Sequence, residues 1–285
     1  MKLLFYILKS TWLFTQLPVI GRIWWKLYGR ISKCADPVRI KIHGYHCIMP
    51  MNYTYWITAR LYKNYNNPLV EAVYQAYKLK GGKVNVVDIG AAIGDTALLL
   101  MANCREMINW IRCVEGDKEF YRYLTENTGH IKEIRRDLQE LSSSRELIKS
   151  LVKIHGGTAS SQGESKTSAL PFDDLFIENI DIIKIDCDGY DGKILVGAIE
   201  TIKKYKPIIV FEWYPELYKK VAHDDRMPDR IVKDFGYNIF IPFNKYGNYG
   251  EDTEYLDIVA IPDKSNAIIN DITACNFAKQ RRSKY

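Results

Sequence analysis

The sequence predicts an α/β protein built on a doubly wound, mostly parallel sheet, and three observations carry that prediction. The segment Val84-Asn85-Val86-Val87-Asp88-Ile89-Gly90-Ala91-Ala92-Ile93-Gly94-Asp95 reads as a buried strand, a glycine turn and a helix start. Strand-like and helix-like stretches alternate after it, as in βαβ units. Acids fall at the predicted strand ends, at Asp88, Glu115, Asp186 and Glu212, where open parallel sheets place their ligands.

The elements follow in order. Residues 39–49 are extended in character, with Gly44 as a turn, and predict a short β-pair. Residues 68–79 carry Leu69, Val70, Val73, Tyr74, Tyr77 and Leu79 at helical spacing, stopped by Gly81-Gly82. A strand over 84–89, a helix over 93–103, a strand over 109–115 and a helix over 118–127 come next, with a third strand over 131–138. Residues 142–153 read as helical, and 155–168, rich in Gly and Ser, as a loop. A strand over 181–186, a helix over 192–204 and a strand over 206–213 complete the parallel core. Helices are expected around 215–222 and 228–235, and an antiparallel pair over 237–242 and 255–261.

The chain of 285 residues suffices for one large domain with an appendage. Its net charge of +6 resides in residues 1–35, which hold Lys2, Lys9, Arg22, Lys26, Arg30 and Lys33 and no acid. The rest is formally neutral, which argues against nucleic acid as a ligand of the body. None of the six Cys forms a Cys-x-x-Cys pair, consistent with reduced core thiols in a cytoplasmic protein. The division predicted is a basic aromatic segment over 1–35, a β/α extension over 36–80, the main domain over 81–265 and a basic, solvated tail over 266–285.

The first 30 residues mix cations with Phe5, Tyr6, Trp12, Phe14, Trp24, Trp25 and Tyr28. The uncharged run over 10–21 is 12 residues long, short of the roughly 20 that span a bilayer, and Pro18 and Gly21 interrupt it. Two readings stand. One is an amphipathic helical segment lying on an anionic membrane surface, peripheral on its inner face. The other is a helix that packs its aromatics on the body or on a partner subunit.

The glycine turn has the spacing Asp-x-Gly-x-x-x-Gly. A pyrophosphate fingerprint wants a glycine at position 92, where Ala92 stands, and a small residue at 95, where Asp95 stands. An acid at that helix start repels a diphosphate. The turn therefore favours S-adenosyl-L-methionine, which has no phosphate, over NAD. Glu115 follows about 25 residues after the turn, close to the spacing of an acid that accepts both ribose hydroxyls.

Four blocks in this order resemble the FkbM family of S-adenosylmethionine-dependent methyltransferases. They are Val87-Asp88-Ile89-Gly90-Ala91-Ala92-Ile93-Gly94, then Val114-Glu115-Gly116-Asp117 through Phe120, Leu124 and Asn127. Leu170-Pro171-Phe172-Asp173-Asp174-Leu175 comes third. The fourth is Asp181-Ile182-Ile183-Lys184-Ile185-Asp186-Cys187-Asp188-Gly189-Tyr190-Asp191, followed by Ile208-Ile209-Val210-Phe211-Glu212. The similarity spans about residues 68–262. It implies the seven-stranded class I methyltransferase (Rossmann-like) sheet and transfer to a hydroxyl, often of a sugar or secondary metabolite. With a membrane-facing N-terminus, a glycan or lipid-linked saccharide becomes the expected acceptor. The cofactor-binding residues implied are Asp88, Gly90, Ala92, Gly94, Glu115 and, for adenine, Asp137. The chain departs from the family in having Ala92 where Asn is usual, and Asp188 and Asp191 where Glu is usual.

Methyl transfer to a hydroxyl needs an oriented nucleophile and removal of its proton. Asp186 or Glu212 can be the base, with Lys184 two residues earlier on the same strand face to tune or position it. Alternatively Asp186, Asp188 and Glu212 hold a divalent cation, which is not the expected case. A structural reading makes Lys184 the partner of a carboxylate and Asp191 a helix cap. His155 and His223 are weaker candidates to reach the acceptor. The competing function is a non-catalytic nucleoside-binding or interaction protein on the same fold. The oligomeric state is left open.

Overall fold

The computed structural model describes residues 1–31, 33–34, 36–62, 64–153, 159–213, 235–244 and 256–262. The expected helices over 215–222 and 228–234, His155, His223 and the C-terminal tail lie outside them.

The chain opens with a helical hairpin, α1 (Lys2–Ser10) and α2 (Pro18–Ile31), joined by a 3-10 turn over Trp12–Gln16. Each helix buries one stripe: Phe5 and Leu8 on α1, Trp24, Tyr28 and Ile31 on α2. Then come β1 (Pro37–Ile42) and β2 (Tyr45–Pro50), an antiparallel pair turning at His43 and Gly44, both at positive φ. Helix α3 (Tyr55–Leu61) follows, an element the sequence reading did not anticipate. Its Trp56 is the anchor of the hairpin: the rings of Phe5, Trp24 and Tyr28 lie 5.4, 6.3 and 6.0 Å from it. Phe5, Trp24 and Tyr28 thus pack on the body, while Tyr6, Phe14 and Trp25 stand exposed.

Helix α4 (Asn67–Lys80) ends at Gly81 in the left-handed conformation. The alternation then runs β3 (Val84–Ile89), α5 (Asp95–Cys104), β4 (Ile108–Glu115), α6 (Lys118–Thr128) and β5 (Ile134–Leu138). Asp117 caps α6 by accepting from the N–H groups of Glu119 and Phe120 at 2.9 and 2.8 Å. Strands β6 (Glu140–Leu141), β7 (Glu146–Lys153) and β8 (Ala159–Leu170) form a small separate sheet.

That small sheet corrects the sequence reading. Residues 146–153 are a strand rather than a helix, and 159–170 are a strand rather than a loop. Leu147 is exposed while its neighbour Ile148 is buried, the period-two pattern of a strand. The partner strand is mostly polar, with Ala159, Ala169 and Leu170 as its apolar residues, so the pairing rests on backbone hydrogen bonds that a side-chain pattern does not announce.

The core closes with β9 (Ile182–Ile185), α7 (Asp191–Gly197), α8 (Ile199–Tyr205), β10 (Ile208–Trp213), β11 (Tyr237–Asn244) and β12 (Leu256–Pro262). The single helix expected over 192–204 is broken at Ala198. Gly197 lies so close to the Ser142 carbonyl that a Cβ would collide with it, and the chain bends there.

Among the described residues, seven strands form the main sheet in the order β11-β12-β10-β9-β3-β4-β5. The run from β10 to β5 is parallel, β12 runs antiparallel to β10, and β11 runs antiparallel to β12. This is the doubly wound class I (Rossmann-like) arrangement, with the order reversing between β3 and β9. One face packs Val84, Val86, Ile182 and Val210 into the core shared with the N-terminal layer. The other packs Val87, Ile89, Ile183 and Phe211 under α7 and α8.

Candidate active site

The turn after β3 is fixed by its neighbours. Gly90 (φ +78) and Ala91 donate their N–H groups to the Val114 carbonyl on β4, at 3.0 and 3.2 Å. A Cβ on Gly90 would collide with the carbonyl oxygen of Asp186, so this position requires glycine on two counts. Gly94 (φ +89) serves packing instead: a Cβ there would meet Thr128 Cγ2 at 2.8 Å and Leu124 Cδ1 at 3.0 Å on α6. Between them Ala92 adopts φ +46, a left-handed conformation that Asn tolerates better than Ala.

Glu115 ends β4 beside this turn. Its carboxylate accepts the N–H of Ala92 at Oε2 and that of Asp117 at Oε1, both at 2.7 Å. Burial pushes its carboxyl up to about 7, against the lowering effect of those two bonds. Glu115 and Ala92 line a cleft of about 690 Å³ beyond the strand ends. Gly90, Gly116, Phe120, Leu141, Ile148, Asp186, Asp188 and Tyr190 share the lining. So do Gln139 and Glu140, which the sequence reading missed because they follow a strand it extended only to 138.

Asp95, the acid at the helix start, turns away from this cleft lining. It accepts the hydroxyl of Tyr53 at 2.7 Å, and burial raises it to about 6. Asp137 is held by Arg112 on β4, whose Nε lies 2.5 Å from Oδ2, and it is absent from the cleft lining. Asp191 is buried at the start of α7 and accepts the Gly189 N–H at 3.2 Å; burial raises it to about 7.

The second acidic group lies where β3 meets β9. Asp88 and Lys184 are register partners. Lys184 Nζ sits 3.1 Å from Asp88 Oδ1 and 3.3 Å from Asp186 Oδ2. Asp88 is 0% exposed, and its only ion-pair partner among the described residues is this ammonium. Burial raises the Asp88 carboxyl, while Lys184 opposes that shift. The ammonium is held well above its ordinary range by Asp88, Asp186 and Asp95, which outweigh its desolvation. Asp88 therefore underpins Lys184 rather than lining the large cleft.

Asp186, by contrast, is 47% exposed at its side chain. It also borders a smaller pocket of about 330 Å³, with Asn66, Pro68, Leu69, Lys184, Ile185, Val210, Phe211 and Glu212. Asp186 is the residue common to both linings. The structure thus brings Lys184, Asp186 and Glu212 to one pocket. Asn66, at φ +60 just before Pro68 and α4, joins them; the Asn-Pro signal of a helix start hinted at its place but not at its role. Asp188 lines the large cleft and Glu212 the small one. Among the described residues no group of three or more His, Cys, Asp or Glu converges as a metal site requires.

The donor set fits one cofactor chemistry. Among the described residues the cleft lining carries Glu115, Glu140, Asp186 and Asp188 and no Lys or Arg. Such a wall disfavours a diphosphate and suits a ligand bearing a sulfonium and an ammonium. Sheet order, glycine turn and acidic cleft together define a class I methyltransferase domain. The FkbM methyltransferase domain family matches residues 73–239, and the chain belongs to that family; its cofactor is S-adenosyl-L-methionine.

Solved structures with a similar fold include an FkbM methyltransferase from Methylobacillus flagellatus KT. It is 14% identical, with a TM-score of 0.47, and the match covers 63% of this chain and 43% of that one. The chain therefore spans under half the length of that protein. A putative RNA methyltransferase from Pyrococcus horikoshii is 17% identical over 69% of this chain and 84% of that one, at a TM-score of 0.38. A SAM-dependent methyltransferase from Aquifex aeolicus is 12% identical over 72% and 98%, at 0.37. A search of curated proteins gives no match.

Proposed function

We propose that the protein is an O-methyltransferase that acts on a hydroxyl of a sugar, glycan or lipid-linked saccharide. The observation that carries this reading is the position of Asp186, shared between the cofactor cleft and a separate polar pocket. The acceptor occupies the smaller pocket. Asn66, Lys184 and Glu212 offer hydrogen bonds to its hydroxyls, and Leu69 and Phe211 offer apolar surface to the face of a sugar ring.

S-adenosylmethionine supplies an activated methyl group. Glu115 would accept its ribose hydroxyls, the Gly90–Ala92 backbone would let it approach, and Phe120, Leu141 and Ile148 would give its adenine an apolar bed. An adenine contact from Asp137 would require that it leave Arg112, whereas Gln139 and Glu140 reach the cleft directly. Transfer would break the carbon–sulfur bond of the sulfonium and leave S-adenosylhomocysteine, and a carboxylate oxygen of Asp186 would take the acceptor hydroxyl's proton. Lys184 holds that carboxylate in place and is itself anchored by Asp88. A lipid-linked acceptor agrees with a cytoplasmic enzyme peripheral to the inner face of a membrane.

The test compares wild type with Asp186→Asn for S-adenosylhomocysteine binding and for transfer of labelled methyl to sugars, sugar nucleotides and lipid-linked saccharides. Wild-type transfer lost in Asp186→Asn, with binding retained, is the expected result. Undiminished transfer by the variant removes Asp186 as the base. Tight cofactor binding by wild type without transfer to any hydroxyl supports the competing, non-catalytic function.

A further inference from the structure

The N-terminal hairpin is inverted relative to an ordinary surface element. Its inner stripe is already used on Trp56, yet its outer side is also apolar. Most of the large hydrophobic side chains that stand exposed among the described residues lie within residues 1–25. Leu3 and Ile7 are one helical turn apart on α1, opposite Phe5 and Leu8. Val19 and Ile23 are one turn apart on α2, opposite Trp24 and Tyr28. Leu13 and Phe14 stand out from the connection between them. A soluble surface rarely exposes so many large apolar side chains in one short segment unless something covers them.

The charge around this face selects what covers it. Lys2, Arg22, Lys26 and Arg30 are exposed, and the latter three recur every four residues along α2. Residues 1–35 hold no acid. A second copy of this face would oppose these four cations with four more, which is repulsive. At about 1.5 Å per residue, the 9 and 14 residues of α1 and α2 fall short of a hydrocarbon core of about 30 Å. No described helix is long and apolar enough to cross a membrane.

We infer that the outer face of the α1–α2 hairpin docks on an anionic lipid bilayer, with Leu3, Ile7, Leu13, Phe14, Val19 and Ile23 in the acyl boundary and the cations among the headgroups. The inference builds on the peripheral location proposed above and assigns it a surface and a lipid charge. The hairpin cannot swing freely on the body. Beyond its ring contacts with Trp56, the Tyr6 hydroxyl donates to the Arg39 carbonyl of β1 at 3.1 Å, while Trp24 Nε1 donates to the Leu8 carbonyl at 3.2 Å and ties α2 to α1. Helix α3, which carries Trp56, leads on to Asn66 in the smaller pocket. Docking therefore fixes the layer that borders the acceptor pocket, not a loose tail.

The experiment is co-sedimentation of the full chain with vesicles of phosphatidylcholine, alone or with about one third phosphatidylglycerol. Binding at least about tenfold stronger to the anionic vesicles, weakening as salt is raised, is expected. Arg22→Gln, Lys26→Gln and Arg30→Gln together should lower that binding about a hundredfold. Ile7→Asp with Ile23→Asp should abolish it. All these side chains are exposed, so S-adenosylhomocysteine titration should be unchanged in each variant; that readout separates failure of docking from failure of the methyltransferase reading. Equal partition to neutral and anionic vesicles, or none to either, overturns the proposal. So does a concentration-dependent dimer of wild type that Ile7→Asp with Ile23→Asp dissolves, which would assign the face to a second copy.

Discussion

The end of the parallel sheet and the N-terminal hairpin break the same rule in opposite directions. At the sheet end, Asp88, Lys184 and Glu115 are buried where apolar side chains belong. On the hairpin, Leu3, Ile7, Val19 and Ile23 are exposed where polar ones belong. A buried charge costs several kcal/mol unless it is paired, and an exposed apolar face forgoes the stabilisation of burial. Neither is how a sequence selected for stability alone would be arranged. The difference lies in what resolves each inversion. Lys184 answers Asp88 and Asp186 from inside the molecule, whereas nothing within the described residues covers the outer hairpin. The sheet end carries its chemistry ready-made, while the hairpin looks outward for a partner.

That contrast can be broken at several points. The largest effect is expected at Asp186→Asn, which should lower kcat by about 10²- to 10⁴-fold, the usual contribution of a general base, with S-adenosylhomocysteine affinity nearly unchanged. A rate within tenfold of wild type would shift the base role to Glu212, which borders the same pocket. Next comes Lys184→Met. It leaves Asp88 buried without its ion-pair partner and should cost about 3–5 kcal/mol in denaturant unfolding. Adding Asp88→Asn should recover much of that loss. If the double variant is no more stable than Lys184→Met alone, the two side chains are not coupled as described.

Glu115 gives a pH signature with two signs. Its folded carboxyl sits at about 7, above its ordinary 4.5. An acid raised in this way loses native stability as pH rises through that window, so the stability of wild type relative to Glu115→Gln should fall between about pH 4.5 and pH 7. Ribose binding runs the other way, because the charged carboxylate is the better acceptor. Affinity of wild type for S-adenosylhomocysteine should fall by about an order of magnitude between about pH 8 and pH 6, and Glu115→Gln should be weaker and flat. A flat wild-type profile would remove Glu115 from the ribose. The smallest effect is expected at Ala92→Asn. Relief of part of the roughly 1–2 kcal/mol left-handed penalty should raise Tm by a few degrees, read by calorimetry.

Most of the sheet end was legible in the sequence because its signals are local. Strand β3 runs over the residues expected of it, and of the acids expected at strand ends Glu115 and Asp186 line the cleft. Three things were not legible. The spacing Asp-x-Gly-x-x-x-Gly marks a cofactor turn, but nothing in it says that Asp88 points at Lys184, since that contact depends on the register of β3 with β9, nearly 100 residues away. Strands β7 and β8 were hidden because Glu146–Lys153 fits helix and strand periods alike and its partner has no apolar pattern. On the hairpin, composition predicted aromatics and cations together but left packing and lipid contact as rivals. The structure shows that Trp24 and Tyr28 take the inner side, leaving a second apolar face that the one-sided amphipathic pattern did not foretell.

The central claim is that the acid-lined cleft beyond β3 and β4 holds S-adenosylmethionine through Glu115. Calorimetric titration of wild type and Glu115→Ala with S-adenosylhomocysteine and with NAD tests it most directly. The account predicts micromolar binding of S-adenosylhomocysteine alone, lost in a folded Glu115→Ala. Binding of NAD instead, or no binding of either by the folded wild type, would contradict it.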